Sequence, residues 1–119
     1  MFDEVLERVK DAAGGVEAVL LVDRDGMIIA RAGGAGSPSH EVFAASYVDI
    51  ARRVTAAHEE AEFGSIRDLM VSGPSGAVAF QAITPDYGLI AVLAPDGILG
   101  RARFELRKAG ASLLPELED

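Results

Sequence analysis

The sequence predicts an α+β fold whose elements follow the order α-β-β-α-β-β-β-α. Three observations carry this expectation. Apolar residues recur at spacings of three and four in the first, middle and last segments, as amphipathic helices require. Between them lie short apolar runs punctuated by Gly, Pro and Asp turn chemistry. The runs at 18–22, 77–83 and 89–94 are nearly continuous in apolar residues, which marks strands buried on both faces rather than on one. Three helices cover two faces most simply with the middle helix on one side and the terminal pair on the other. The length of 119 residues reads as a single domain, 1–119, with an acidic tail from about 115.

The first helix is written by Phe2, Val5, Leu6, Val9, Ala12 and Ala13, and Gly14-Gly15 stops it. Val16 to Val22 and Met27 to Ala30 are two apolar runs joined by Asp23-Arg24-Asp25-Gly26, a tight turn that predicts a β-hairpin. Gly33-Gly34-Ala35-Gly36-Ser37-Pro38 is a loop by composition, and Ser39 is placed to cap the long helix from about His40 to Phe63. On a helical wheel Phe43, Tyr47, Ile50, Ala51, Val54, His58 and Ala61 share the apolar face, with Asp49, Arg52, Arg53, Ala56 and Glu60 opposite. Strands are expected at 66–72, 77–83 and 87–94, separated by Gly73-Pro74-Ser75-Gly76 and Thr84-Pro85-Asp86. Arg67 and Asp68 break the apolar pattern of the first of these, so it reads as an edge or interface strand. In the last helix Leu99, Ala102, Leu106, Ala109 and Leu113 align, while Phe104 falls off the stripe.

Composition narrows the function classes. A net charge of -8 argues against a general nucleic-acid binder, whose affinity rests on cations neutralising phosphates. The absence of cysteine removes disulfides, thiolate metal sites and cysteine nucleophiles, and fits a cytoplasmic location. The N-terminus is acidic where a secretory signal is basic. The longest apolar runs, such as 88–94, fall far short of the ~20 residues of a membrane-spanning helix.

The glycine-rich loop at 33–37 lacks the Lys-Ser/Thr pair of a phosphate-binding loop, because Pro38-Ser39 stands in its place. His58-Glu59-Glu60-Ala61-Glu62 has Glu62 where a zinc-binding helix needs its second histidine, and His40 has no companion ligand. No serine occupies a nucleophile elbow. Asp23 and Asp25 flank a hairpin tip, where Asp serves local turn hydrogen bonds. No catalytic, cofactor or metal residue is therefore expected. Two surfaces invite protein contacts instead. Ala45, Asp49, Arg52, Ala56 and Glu60 mix small and oppositely charged residues in a way that suits close approach of a second helix. Arg101, Arg103, Arg107 and Lys108 concentrate cations in the last helix, either as a solvated face or as a site for an acidic partner.

With this order of elements, the chain resembles the roadblock family, named for dynein light chains of the roadblock type. The hairpin Val19-Leu20-Leu21-Val22-Asp23-Arg24-Asp25-Gly26-Met27-Ile28-Ile29-Ala30 is similar to the family's opening. So are the Ala-rich middle helix, the Gly-Leu-Ile-Ala-Val-Leu strand at 88–93 and the segment 100–108. The resemblance implies a five-stranded antiparallel sheet of roadblock/profilin-like type. It also implies a homodimer in which third strands pair side by side and middle helices pack together. Ala45, Asp49, Arg52, Ala56, Ile66, Arg67, Asp68, Leu69 and Met70 would form that interface. Prokaryotic members are linked to small Ras-like GTPases, which implies a non-enzymatic regulator or scaffold that docks one through Asp49, Arg52, Arg53 and Glu60. Arg52 and Arg53 are the candidates for an arginine supplied in trans, although members of the family are thought to act by positioning the GTPase's own residues. A different class remains open: a small-molecule sensor of profilin-like or PAS-like architecture, in which Ala77, Ala79, Ala82, Ala91 and Ala94 leave room for an internal ligand cavity.

Overall fold

The structure is a computed structural model that describes residues 1–34 and 39–118; Ala35–Pro38, the Ser39 side chain and Asp119 lie outside the described residues, and with them the expected cap and most of the glycine-rich loop. The elements are α1 (Phe2–Ala12), β1 (Val16–Asp23), β2 (Ile28–Gly33), α2 (Ser39–Glu60), β3 (Asp68–Gly73), β4 (Gly76–Thr84), β5 (Tyr87–Leu93) and α3 (Leu99–Leu117). The strands form one antiparallel sheet of order β2-β1-β5-β4-β3. The central strand is thus the last in sequence, and β2 and β3 are its two edges.

The apolar runs do what their continuity predicts. Five consecutive residues of β1, Ala18 to Val22, are wholly buried, and so are Leu89, Ile90 and Ala91 in β5. Alternate side chains enter two cores. On one face Val19, Leu21, Leu89 and Ala91 meet Leu6 and Val9 of α1 and Leu106 and Leu113 of α3. On the other Leu20, Val22, Phe80 and Ile90 meet Ala44, Val48 and Ala51 of α2. Burying a Leu or Ile side chain fully contributes about 1.5–3 kcal/mol, so the middle strands gain on both faces at once.

The β1–β2 turn shows how local chemistry serves packing. Asp23 Oδ1 accepts hydrogen bonds from the backbone N–H of Asp25 (2.9 Å) and Met27 (3.0 Å). Gly26 adopts φ +83, and a Cβ there would stand 2.5 Å from Ala45 Cα. Only glycine fits, because the hairpin tip rests on the backbone of α2.

Several boundaries differ from the sequence expectation. The middle helix ends at Glu60 rather than Phe63, since Glu62 (φ 67) and Gly64 turn left-handed and the Phe63 N–H bonds back to the His58 carbonyl at 2.8 Å. The second strand runs over 28–33 rather than 27–30. The third begins at Asp68 rather than 66, because Ile66 is turned inward to the α2-side core. The expected tail is helical: α3 continues through Pro115 to Leu117, which packs against the core one turn beyond Leu113. Proline removes one backbone donor there, and the Ala111 carbonyl that it leaves free lies on an exposed residue.

Candidate protein–protein interface

The β3 edge is built by an unbroken ladder. Asp68 pairs with Gln81, and the register holds residue by residue to Gly73 opposite Gly76. The Ala82 N–H donates to the Arg67 carbonyl at 2.8 Å, so 67/82 is a hydrogen-bonded pair. In an antiparallel ladder such pairs alternate. The backbone groups of Asp68, Met70 and Ser72 consequently point away from β4, toward the open side of the sheet. Gln81 steadies the start of this strand, its Nε2 donating to the Arg67 carbonyl at 3.1 Å.

Side chains of β3 divide between the two faces. Leu69 packs with the α2-side core, and Val71, 42% exposed, stands on the same face. Met70 reaches the α1/α3-side core, and Asp68 faces α3. Arg67 is exposed and Ile66 is buried within the chain. The α3 cations are largely engaged inside the molecule. Arg103 Nε meets Asp68 Oδ2 at 2.9 Å and Arg107 Nη2 meets it at 3.6 Å. Arg101 Nε donates to the Ala12 carbonyl at 3.2 Å, where a cation complements the C-terminus of α1. Lys108 pairs with Glu105 and lies over the exposed Phe104 ring.

On α2 the buried face differs from the expected wheel. The buried positions are Ala44, Val48 and Ala51, so Phe43, Tyr47 and Val54 fall on a half-buried flank. Ile50 is 42% exposed beside them, and His58 and Ala61, expected on the apolar face, are exposed. His58 is beyond the sheet's reach and packs edge-on against Phe63 instead. Of the expected interface residues, Ala45, Arg52 and Ala56 are exposed and Asp49 is half-exposed; Ala45 has the β1–β2 turn against its backbone. Arg53 Nε pairs with Asp49 Oδ2 at 3.1 Å and Arg52 Nη2 lies 3.8 Å from Asp49 Oδ1, so one carboxylate draws both arginines along the helix. Glu60 is exposed at the helix end.

What sequence reasoning missed is the flank Phe43–Tyr47–Ile50–Val54. Its spacing is visible in the sequence, where it reads as part of the sheet-facing stripe. Together with Leu69 and Val71 it makes an incompletely covered apolar surface on the α2 side of the molecule. On the opposite flank of α2 an open groove of about 970 Å³ runs past Arg52, Thr55 and Glu59 to the β4–β5 turn, floored by Val22, Val48 and Phe80. It is open to solvent, unlike the internal cavity that a sensor domain calls for. Among the described residues no group of three or more His, Cys, Asp or Glu is placed to hold a metal ion, and no helix is long and apolar enough to cross a membrane.

Comparison with known proteins places this geometry. The chain superposes on Myxococcus xanthus MglB with a TM-score of 0.86 at 16% identity, covering 97% of this chain and 93% of that one. It matches a Roadblock/LC7 domain from Streptomyces avermitilis with a TM-score of 0.87 at 16% identity, covering 97% and 96%. Acanthamoeba castellanii profilin II follows at 0.68 and 17% identity, with 98% of each chain covered. At these identities the likeness is one of fold. No curated protein matches at the level of sequence. Residues 1–94, from α1 through β5, match the family model of the Roadblock/LC7 domain, and on that match the chain belongs to the Roadblock/LC7 family.

Proposed function

We propose that this chain is a cytoplasmic, single-domain, non-enzymatic regulator or scaffold that forms a homodimer and binds a small Ras-like GTPase. The observation that carries the reading is the β3 edge. Its ladder is regular, its outward backbone groups are free of β4, and the apolar flank of α2 continues the same surface. A second copy related by a two-fold axis would pair β3 with β3 and set the two α2 helices side by side. Arg67, Asp68, Leu69 and Met70 belong to that contact, whereas the Ile66 side chain is already used within the chain. On α2 the apolar flank, above all Ile50, takes over much of the role expected of Ala45 and Ala56.

The GTPase reading rests on family membership and on the outer face of α2, where Asp49, Arg52, Arg53 and Glu60 offer charges of both signs around small residues. Arg52 and Arg53 both lean toward Asp49, which supports a partner that orients the GTPase's own catalytic groups over one that inserts an arginine. Co-purification with a Ras-like GTPase, joined to a hydrolysis assay with and without this protein, tests the proposal. Binding in one nucleotide state supports it, and faster hydrolysis separates activator from scaffold. Absence of binding in every nucleotide state, across all Ras-like GTPases of the source organism, would sink it.

A further inference from the structure

The outward backbone groups of β3 belong to Asp68, Met70 and Ser72, and a strand that pairs with its own copy has to align them. Two-fold antiparallel pairing centred on Met70 sets Met70 opposite the partner's Met70 and each Asp68 opposite the partner's Ser72. Every outward N–H and carbonyl of the strand then finds a partner. Moving the centre toward the start of the strand puts Ser72 against the partner's Ile66, which precedes β3 and is turned inward. Moving it toward the end puts Asp68 against the partner's Pro74, which has no N–H to donate. The side chains agree with the first alignment, because directly opposed residues share a face. On the α2 side Leu69 would meet the partner's Val71, apolar against apolar, in the closer, non-hydrogen-bonded kind of pair. On the other side Asp68 would meet the exposed Ser72 of the partner subunit. Arg103 and Arg107 both approach Oδ2 of Asp68, at 2.9 and 3.6 Å, which leaves Oδ1 for another donor.

We infer that the two β3 strands align on Met70, and that Asp68 fixes this alignment by accepting a hydrogen bond from the Ser72 hydroxyl of the partner subunit. The partner is a second copy of this chain, and the inference rests on the homodimer reading above. Arg103 and Arg107 hold the Asp68 carboxylate at the strand's outer end and are positioning residues, with no contact to the other copy required of them. Symmetry repeats the contact at both ends of the ladder. A slip of the strands in either direction therefore breaks both contacts at once, and register is set by side chains where the backbone alone would tolerate a shift.

The chain has no cysteine, so introduced cysteines report the alignment through disulfide formation. In a hydrogen-bonded pair the Cα atoms stand about 5.5 Å apart, within reach of a disulfide. On oxidation M70C is expected to link to its own copy. D68C and S72C would each lie about 13 Å or more from their own copies, and should link only when the two variants are mixed before oxidation. D68C or S72C linking to itself overturns the inference, and so does a folded dimer in which neither M70C nor the mixture links. Thermal melts verify folding, and the mixture reads the same alignment if M70C is unstable. The side-chain contact is isolated by S72T and S72V, which differ by the hydroxyl and match in shape. By sedimentation S72T should dimerise within about twofold of the wild type and S72V about tenfold more weakly. An S72V dimer as tight as that of S72T overturns the inference. A wild type that stays monomeric at every concentration defeats the homodimer reading and this inference with it; a dimeric wild type with any of the adverse results above defeats the inference alone.

Discussion

The two edges of the sheet are made differently. The β2 edge is irregular: its register against β1 shifts between Leu21 and Val22, and Arg31 is tied across to Glu41 of α2 at 2.6 Å. The Lys10 side chain of α1 also lies at the level of Gly33. Bulges and charged side chains are the devices by which proteins keep an edge from acquiring another strand. The β3 edge keeps an unbroken register, carries an exposed valine, and has its one carboxylate matched by arginines. One sheet therefore presents a guarded margin and an inviting one, and the apolar flank of α2 points to the inviting one as the side where a partner gains most.

The largest effect expected from breaking this contrast comes from the β3 backbone. Ser72→Pro removes an outward N–H on an exposed residue without touching either core, and in a two-fold assembly the loss occurs twice. Dimerisation should weaken about thirtyfold or more, at about 1 kcal/mol per hydrogen bond, read by sedimentation. Ile29→Lys on the β2 edge should leave the assembly unchanged, and a comparable loss there would reverse the assignment of the two edges.

Next in size is the turn that seats β2. Gly26→Ala places a methyl group in a left-handed residue 2.5 Å from Ala45 Cα, which should cost about 2 kcal/mol of folding stability. Calorimetric melting would read this, with m-values unchanged if the unfolding remains two-state.

Ile50→Asp should weaken self-association about tenfold, from lost apolar contact and an added charge on each copy, while leaving the melting temperature within a few degrees. A melt lowered as far as by a core substitution would mean that Ile50 belongs to the chain's own interior. The smallest change is expected from Arg31→Ala. That pair is surface-exposed on the Glu41 side, so its loss should cost about 0.5 kcal/mol or less, detectable by denaturant titration and diminished by salt.

Much of the fold was legible in the residues. Continuous apolar runs announced strands covered on both faces, and turn chemistry separated them. The helix assignments followed from spacing alone. The surface proposed here as the interface was only half legible, for a physical reason. Alanine occurs on every side of α2, so it gives the wheel little direction, and the face turned to the sheet is centred on Ala44, Val48 and Ala51. The larger Phe43, Tyr47 and Ile50 then fell to the flank. A single apolar stripe was serving two surfaces, and periodicity cannot divide it between them. Asp68 was read correctly as an edge residue, but its partners lie 35 residues away or more on α3, a distance at which no local pattern reports contact. Pro115 misled in the other direction, since Leu117 gains enough by packing to carry the helix past a residue that usually ends one.

The position of β5 has a consequence for how the molecule comes into being. It is the last strand synthesised and the middle strand of the sheet, bonded to β1 on one side and β4 on the other. Pairing of Val16 with Leu93 closes a loop spanning most of the chain. Until that closure, the β1–β2 hairpin and α2 hold Leu20 and Val22 without the strand that completes their core. Such long-range pairing slows folding relative to local hairpins. During synthesis, the first half of the chain waits with its apolar residues uncovered until residues 87–93 emerge, and a truncation before that point would leave two half-sheets with nothing to join them.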